Sequence, residues 1–221
     1  MDHLQITGGS IIRSSECESL RDGARYSFNN PGELKEQLSG GDWKSGNWAY
    51  FRRFSPDAQL FTLAAGLALR DSGIEFKPEQ NVGLLAADDF EHESDQAAYF
   101  ADYVAGGREM GRSSLFVHTL PTSAVVDASV CLGLRGPLLY IRDEDDIWGG
   151  LLNAAADFIT GSDAEIMLLS YRRAGTLICL TVTAGGNAAL RRTAQTEPEA
   201  IFASARQQLK EKADANTADI Q

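Results

Sequence analysis

Two periods of apolar residues alternate along this chain, a strand-like one and a helix-like one. Residues 4–12 (L-Q-I-T-G-G-S-I-I) read as a first strand, broken by Gly8-Gly9. The Thr7–Ser10 phrase lacks the lysine of a phosphate loop and is read as a strand bulge. Residues 14–55 are mixed and polar, with a short helix expected at 33–38. Ser55 and Pro56 then form a helix start, N-cap followed by N1 proline. That helix runs to about residue 72, with Leu60, Phe61, Ala64, Leu67 and Ala68 inward and Gly73 closing it. A short buried strand is expected at 82–87, ending at Asp88-Asp89. An amphipathic helix is expected at 91–104, with Ala97, Phe100 and Val104 on one side, and an extended piece at 115–117. A helix at 124–132 ends at Gly133.

The stretch from Gly133 to Gly161 organises the rest. A Gly136-Pro137 turn leads into the apolar run Leu138, Leu139, Tyr140, Ile141, which suits a strand buried on both faces. Four acids follow, Asp143, Glu144, Asp145 and Asp146. An apolar helix comes next, carrying Ile147, Leu151, Ala155, Phe158 and Ile159. It is apolar on more than one face and is expected between two layers. A strand at 165–170, a turn at 172–175 and a strand at 176–183 read as a hairpin. Thr196-Glu197-Pro198-Glu199 begins a final helix that grows polar beyond Leu209, and 214–221 is expected to be disordered. Strands alternating with helices give an α/β fold around a largely parallel or mixed sheet. One domain is expected over 1–190, with 191–221 as a C-terminal helix and tail.

Composition narrows the function. The 221 residues are 43% apolar and 23% charged, with a net charge of −11. That charge disfavours nucleic acid and anionic membranes as partners. Arg52 and Arg53 lie among Trp43, Trp48, Tyr50, Phe51 and Phe54, and the segment reads as a packed loop or partner surface. Met1 to Gln5 carry no basic n-region, so neither a signal peptide nor an anchor is expected there, and the longest apolar runs are too short to span a bilayer. The three cysteines, Cys17, Cys131 and Cys179, form no zinc spacing and suit a reduced cytoplasmic compartment. Cys131 and Cys179 read as buried thiols, while Cys17 falls in a polar stretch open to exposure. No cofactor and no metal are expected. The acids at 143–146 read first as favourable charge at a helix N-terminus.

Several phrases together resemble the β-ketoacyl synthases. S-P-D-A-Q at 55–59 through A-L-R-D-S-G-I at 68–74 resembles that family's early helix, with its A-L-x-D-A-G-I ending. N-V-G-L-L at 81–85 resembles its R-V-G-V-V strand. L-P-T-S at 120–123, then L-G-L-R-G-P at 132–137, resembles M-P-N followed by G-x-x-G-P. F-I-T-G-S-D-A-E at 158–165 looks like I-x-x-G-x-A-D. The match covers about residues 55–170 in the family's order. It implies a thiolase-like half-fold, a central mixed sheet with helices on both faces.

The departures carry as much information. After Gly-Pro the family reads a strand and then D-T-A-C-S-S, with the nucleophilic cysteine at the helix start. Counted from Gly136-Pro137, that position is Asp145. A carboxylate is a far poorer acceptor of an acyl chain from a thioester than a thiolate. No counterpart of the family's second half, with its two catalytic histidines, is expected in these 221 residues; His3, His92 and His118 all precede the nucleophile position. The resemblance therefore implies a shortened, catalytically silent subunit of the chain-length-factor type. Its partner would be a full-length β-ketoacyl synthase, with an acyl carrier protein reached through the complex. It implies pairing through the strand Leu138, Leu139, Tyr140, Ile141. Two other readings stay open: a stand-alone acyl-binding module, and an enzyme using Asp145 and its neighbours, with or without a metal.

Overall fold

A strand with glycines at its centre can lie against a helix end more closely than any other strand, and that contact starts the fold. The computed structural model describes residues 4–39, 48–75, 81–88, 93–109, 111–142, 146–185 and 197–218. Trp43, His3, His92, residues 76–80, Asp89 and the acids Asp143, Glu144 and Asp145 lie outside these. Strand β1 (Leu4–Arg13) carries a bulge between Ile6 and Gly8. At Gly8 a Cβ would sit 2.3 Å from the Ser72 backbone nitrogen. The C-terminal end of helix α2 (Pro56–Asp71) therefore rests directly on the strand. The Gly-Gly break is the bulge that the sequence suggests, and it is also a close approach.

Seven strands form one sheet in the order β3-β2-β1-β7-β6-β4-β5. Strands β2 (Glu16–Ser19) and β3 (Arg25–Ser27) follow β1 as an antiparallel meander. Strands β6 (Ile166–Arg173) and β7 (Thr176–Ala184) form the expected hairpin, and β7 also pairs antiparallel with β1. Strand β4 (Val82–Asp88) lies between β6 and β5 (Leu138–Tyr140), parallel to both. Both parallel pairs need a crossover helix, and the sequence supplies one for each. The mixed α/β sheet is the architecture the sequence predicts.

Side chains alternate across β4, so Leu84 and Ala86 face one layer while Leu85 and Ala87 face the other. The first layer holds α1 (Pro31–Leu38), α2, α5 (Ser123–Leu132) and a 3₁₀ segment (Trp48–Arg53). In that segment Phe51 is buried, and the Lys35 ammonium lies over the rings of Trp48 and Phe51. The aromatic stretch is packed structure in this part. The second layer holds α6 (Ile147–Thr160) and α7 (Pro198–Ala218).

Four expectations are corrected. It is α2, buried from Phe61 through Leu69, that lies between layers, because α1 and α5 cover its outer side. Helix α6 buries Trp148, Leu151, Leu152 and Ala155, while Phe158 and Ile159 on its flank stay half-buried. Residues 115–117, expected to be extended, belong to the short helix α4 (Ser113–His118). Helix α3 (Glu93–Ala105) leaves Phe100 64% and Val104 44% exposed. It packs on α4 by its other side, where the Tyr99 ring meets Phe116 edge-on. The C-terminal helix continues through Ala218, so 214–218 is helical rather than disordered.

Helix α7 is held to the sheet by Ile201, Phe202 and Ala205 and by one ion cluster. Arg206 Nη1 lies 2.8 Å from Glu18 on β2, while its Nη2 donates to the Ser19 carbonyl and its Nε to that of Leu20. Burial pushes the Glu18 carboxyl up, but the Arg206 hydrogen bond and the charges of Arg206, Arg25 and Arg13 outweigh it. The carboxyl is held below its ordinary value of 4.5. A depressed carboxyl stabilises the fold above its unfolded-state value and loses that contribution as pH falls through the folded one. Glu18→Gln should cost about 1–2 kcal/mol at neutral pH. The difference from wild type should shrink as pH falls below 4.5 and vanish once the folded-state carboxyl is protonated. Urea unfolding at several pH values measures this.

Candidate functional site

The Gly136-Pro137 turn places β5 against β4. Gly136 donates to the Val82 carbonyl, and a Cβ there would meet the Val82–Gly83 peptide at 2.6 Å. Pro137 then accepts from Leu84 N at 2.8 Å, and Ile141 N donates to Ala86 at 2.8 Å. Strand β5 is three residues long and stands at the margin of the sheet. Leu138 is 39% and Leu139 44% exposed, where the apolar run suggests burial on both faces. The reason is topological. Among the described residues β5 has a strand neighbour on one side only, and an apolar run reads alike whether or not a second strand covers its edge. Tyr140 packs toward the α2 layer and Ile141 toward the α6 layer.

Helix α6 follows in the sequence. Asp146 is the N-cap, its Oδ1 accepting from Gly149 N at 2.9 Å. A Cβ at Gly149 would fall on the Asp146 carboxylate, so glycine keeps the cap in place. The helix-capping reading of the acid cluster holds for Asp146. Asp143, Glu144 and Asp145 lie outside the described residues.

A second group of polar side chains escapes a reading of local motifs. The Tyr140 hydroxyl donates to Asp88 Oδ1 at 2.5 Å. Arg172 on β6 reaches Asp88 at 3.8 Å and Asp57, at the start of α2, at 3.0 Å. Burial, and then the Asp88 carboxylate, push the Tyr140 hydroxyl up. These groups stand at the carboxyl ends of β4, β5 and β6, the end of a parallel sheet where ligands gather. The one available signal was charge at strand ends, Asp88 and Arg172. Beside them is a cavity of about 120 Å³ with Leu60, Phe61, Val125 and Leu177 among its apolar walls. His118 lines it, half-buried, with Nδ1 unpartnered. Burial raises the nearby Asp127 carboxyl, with the charge of His118 opposing.

All three cysteines are buried. Cys17 lies on β2, correcting its expected exposure. Burial pushes each thiol up to about 12, so none is a thiolate at neutral pH. Among the described residues no three His, Cys, Asp or Glu side chains converge on a metal-holding geometry. No described helix is long and apolar enough to cross a membrane.

No protein-family model matches the sequence, and no curated protein sequence matches it. Solved structures do match. A ketosynthase in complex with its chain length factor from Xenorhabdus doucetiae matches with a TM-score of 0.57 at 13% identity, covering 94% of this chain and 92% of the matched chain. This chain has the ketosynthase and chain-length-factor fold. The ishigamide ketosynthase/chain length factor matches at a TM-score of 0.54 and 14% identity. A type II polyketide synthase acyl carrier protein complexed with its hexaketide-bound ketosynthase gives 0.55 and 14%. This chain spans 64% and 63% of those two matched chains, less than two thirds, whereas the first is nearly its own length.

Proposed function

We propose that this chain is a non-catalytic ketosynthase-like subunit. It pairs with an active β-ketoacyl synthase through β5 and shapes that partner's acyl tunnel, in type II polyketide-like or fatty-acid-like assembly such as aryl polyene formation. The observation that carries this reading is the state of β5. It is an open sheet margin with two half-exposed leucines, next to a junction that bears carboxylates and no thiol. A strand edge left unpaired is a template for another chain. The likeness to a ketosynthase complexed with its chain length factor supports the same reading. The silence of the site is supported by chemistry. Asp145 cannot take up an acyl chain as a thiolate does, and the three thiols are protonated and buried. His118, the one histidine among the described residues, precedes the junction in sequence and sits at the end of α4. The acyl carrier protein is met through the partner.

The test is direct. Incubated with an acyl carrier protein thioester, the purified chain should acquire no acyl adduct by intact mass. In a reconstituted complex with the synthase, Asp145→Asn should leave product formation near normal, and Asp145→Cys should add none. A stable adduct on this chain, or loss of turnover in Asp145→Asn with assembly intact, would give Asp145 or a thiol a chemical role.

A further inference from the structure

Exposed apolar side chains are gathered on one part of this molecule. Among the described residues ten large ones are exposed, and nine of those fall between Phe100 and Leu139. They belong to α3, α4, the turn before α5, α5 and β5, elements that pack on one another in that order. A lone exposed apolar residue is ordinary. Nine on a contiguous run of elements mark an interaction surface.

Helix α5 carries the centre of it. Its inner side buries Val125, Ala128, Cys131 and Leu132, and it packs on α2. The other side presents Val126, 44% exposed, and Val130, 55% exposed, one turn apart. Asp127 is the single charged residue in this ten-residue helix. A helix whose outer face meets water carries polar and charged residues there. Helix α1 does so in the same layer, where Glu36 and Gln37 are exposed. Register joins the outer face of α5 to β5. Leu138 lies opposite Leu84, which points into the layer of α2 and α5, so Leu138 emerges on the α5 side of the sheet. At the N-terminal end of α5, Leu120 in the turn and Phe116 on α4 continue the exposed apolar surface.

Size selects the occupant. A stable interface takes about 800 Å² from each partner, spread over about 20–30 residues. Strand β5 has three residues, a length of about 10 Å, and cannot supply that area alone. Any chain that pairs with its edge needs flanking surface, and α5 and α4 adjoin it. An anionic bilayer or a second copy of this chain would instead be opposed by the net charge of −11. We propose that α5 and α4 form the greater part of the surface on which the β-ketoacyl synthase docks, with Val126 and Val130 at its centre and β5 setting the register. This docking rests on the pairing proposed above and adds where the partner is held.

The test is Val126→Glu/Val130→Glu in the full chain, with the β-ketoacyl synthases of the same organism as probes and affinity read by surface plasmon resonance. Wild type should bind one of them. The double substitution should weaken that binding about a hundredfold or more, because docking would bury two carboxylates without partners. Its melting temperature should match wild type, since both side chains already face water. Val130→Glu alone, at the more exposed position, should weaken binding about tenfold. Val126→Leu/Val130→Leu, still apolar, should bind within about threefold of wild type. Wild-type affinity in the glutamate variants would overturn the docking face and leave pairing through β5 standing. Loss in those variants with Leu138→Pro unaffected would uphold the face and remove β5 from the interface. Absence of binding by the wild type would overturn both. Self-association or binding to phosphatidylserine vesicles, lost in the glutamate variants while synthase binding persists, would give the face a different occupant and overturn the proposal.

Discussion

Leu138→Pro should abolish pairing with a β-ketoacyl synthase while leaving this subunit folded. The two bonds that frame β5, Leu84 N to Pro137 O and Ile141 N to Ala86 O, fix which backbone groups face β4. Alternation in a parallel ladder turns the N–H and C=O of Leu139 inward and those of Leu138 and Tyr140 outward. Proline at 138 therefore removes a donor from the open edge and none from the β4 ladder, a place where proline is tolerated. Leu138 is 39% exposed, so losing its side chain costs the isolated subunit little. Leu139→Pro is the control. It takes the inward donor, leaves a β4 carbonyl unpartnered and should destabilise the fold by about 1–3 kcal/mol. Size-exclusion chromatography with the synthase, beside a thermal melt of each variant, separates the two effects. Co-elution of Leu138→Pro at wild-type affinity would place the interface elsewhere.

The largest loss of stability is expected from Asp71→Ala. This carboxylate, at the end of α2, is 7% exposed and bonds to backbone rather than to a cation. It accepts from Gly9 N at 2.9 Å, Arg21 N at 2.9 Å and Asp22 N at 3.3 Å. It thereby ties the bulged strand, the helix end and the β2–β3 turn into one corner. Alanine leaves three N–H groups without their acceptor, the Gly9 one buried where Gly8 is pressed against Ser72. The loss should be about 3–5 kcal/mol, at the upper end of what single substitutions do. Asp71→Asn keeps one acceptor oxygen and should lose about half as much. A loss under about 1 kcal/mol for the alanine, by denaturant unfolding, would show that the corner relaxes and re-pairs its donors.

Asp71 lies within a phrase, A-L-R-D-S-G-I, that already points to the fold, yet its bonds to residues 9, 21 and 22 are not visible there. The elements legible from sequence are those decided by local chemistry. Ser55 caps α2 by accepting from Ala58 N at 3.3 Å, and Gly73 and Gly133 close their helices at φ +68°. Ala174 and Gly175, at φ 47° and 76°, make the tight hairpin turn. What was missed depends on neighbours. Strands β2 and β3 are short, with charge at Glu16, Glu18 and Arg25, and exist because β1 offers them an edge. Three apolar residues at 115–117 have no period of their own, so nothing local separated strand from the single turn of α4. The candidate pairing strand was located by its motif, but its exposure was not, since burial is a property of the whole sheet. The Tyr140–Asp88–Arg172–Asp57 group joins four distant segments and has no spacing to read.

The pairing of β1 with β7 has a consequence for synthesis. Thr7 donates to the Thr181 carbonyl, 174 positions along the chain. At 5–20 residues per second a ribosome needs on the order of 10–35 s to make that length. For that interval β1 has β2 on one side and no strand for the other, while its apolar residues await both layers. Closing so long a loop is also slow for a free chain. The step that admits β7 therefore completes the sheet, and a nascent chain held before it offers an edge to which other chains, or a chaperone, can bind.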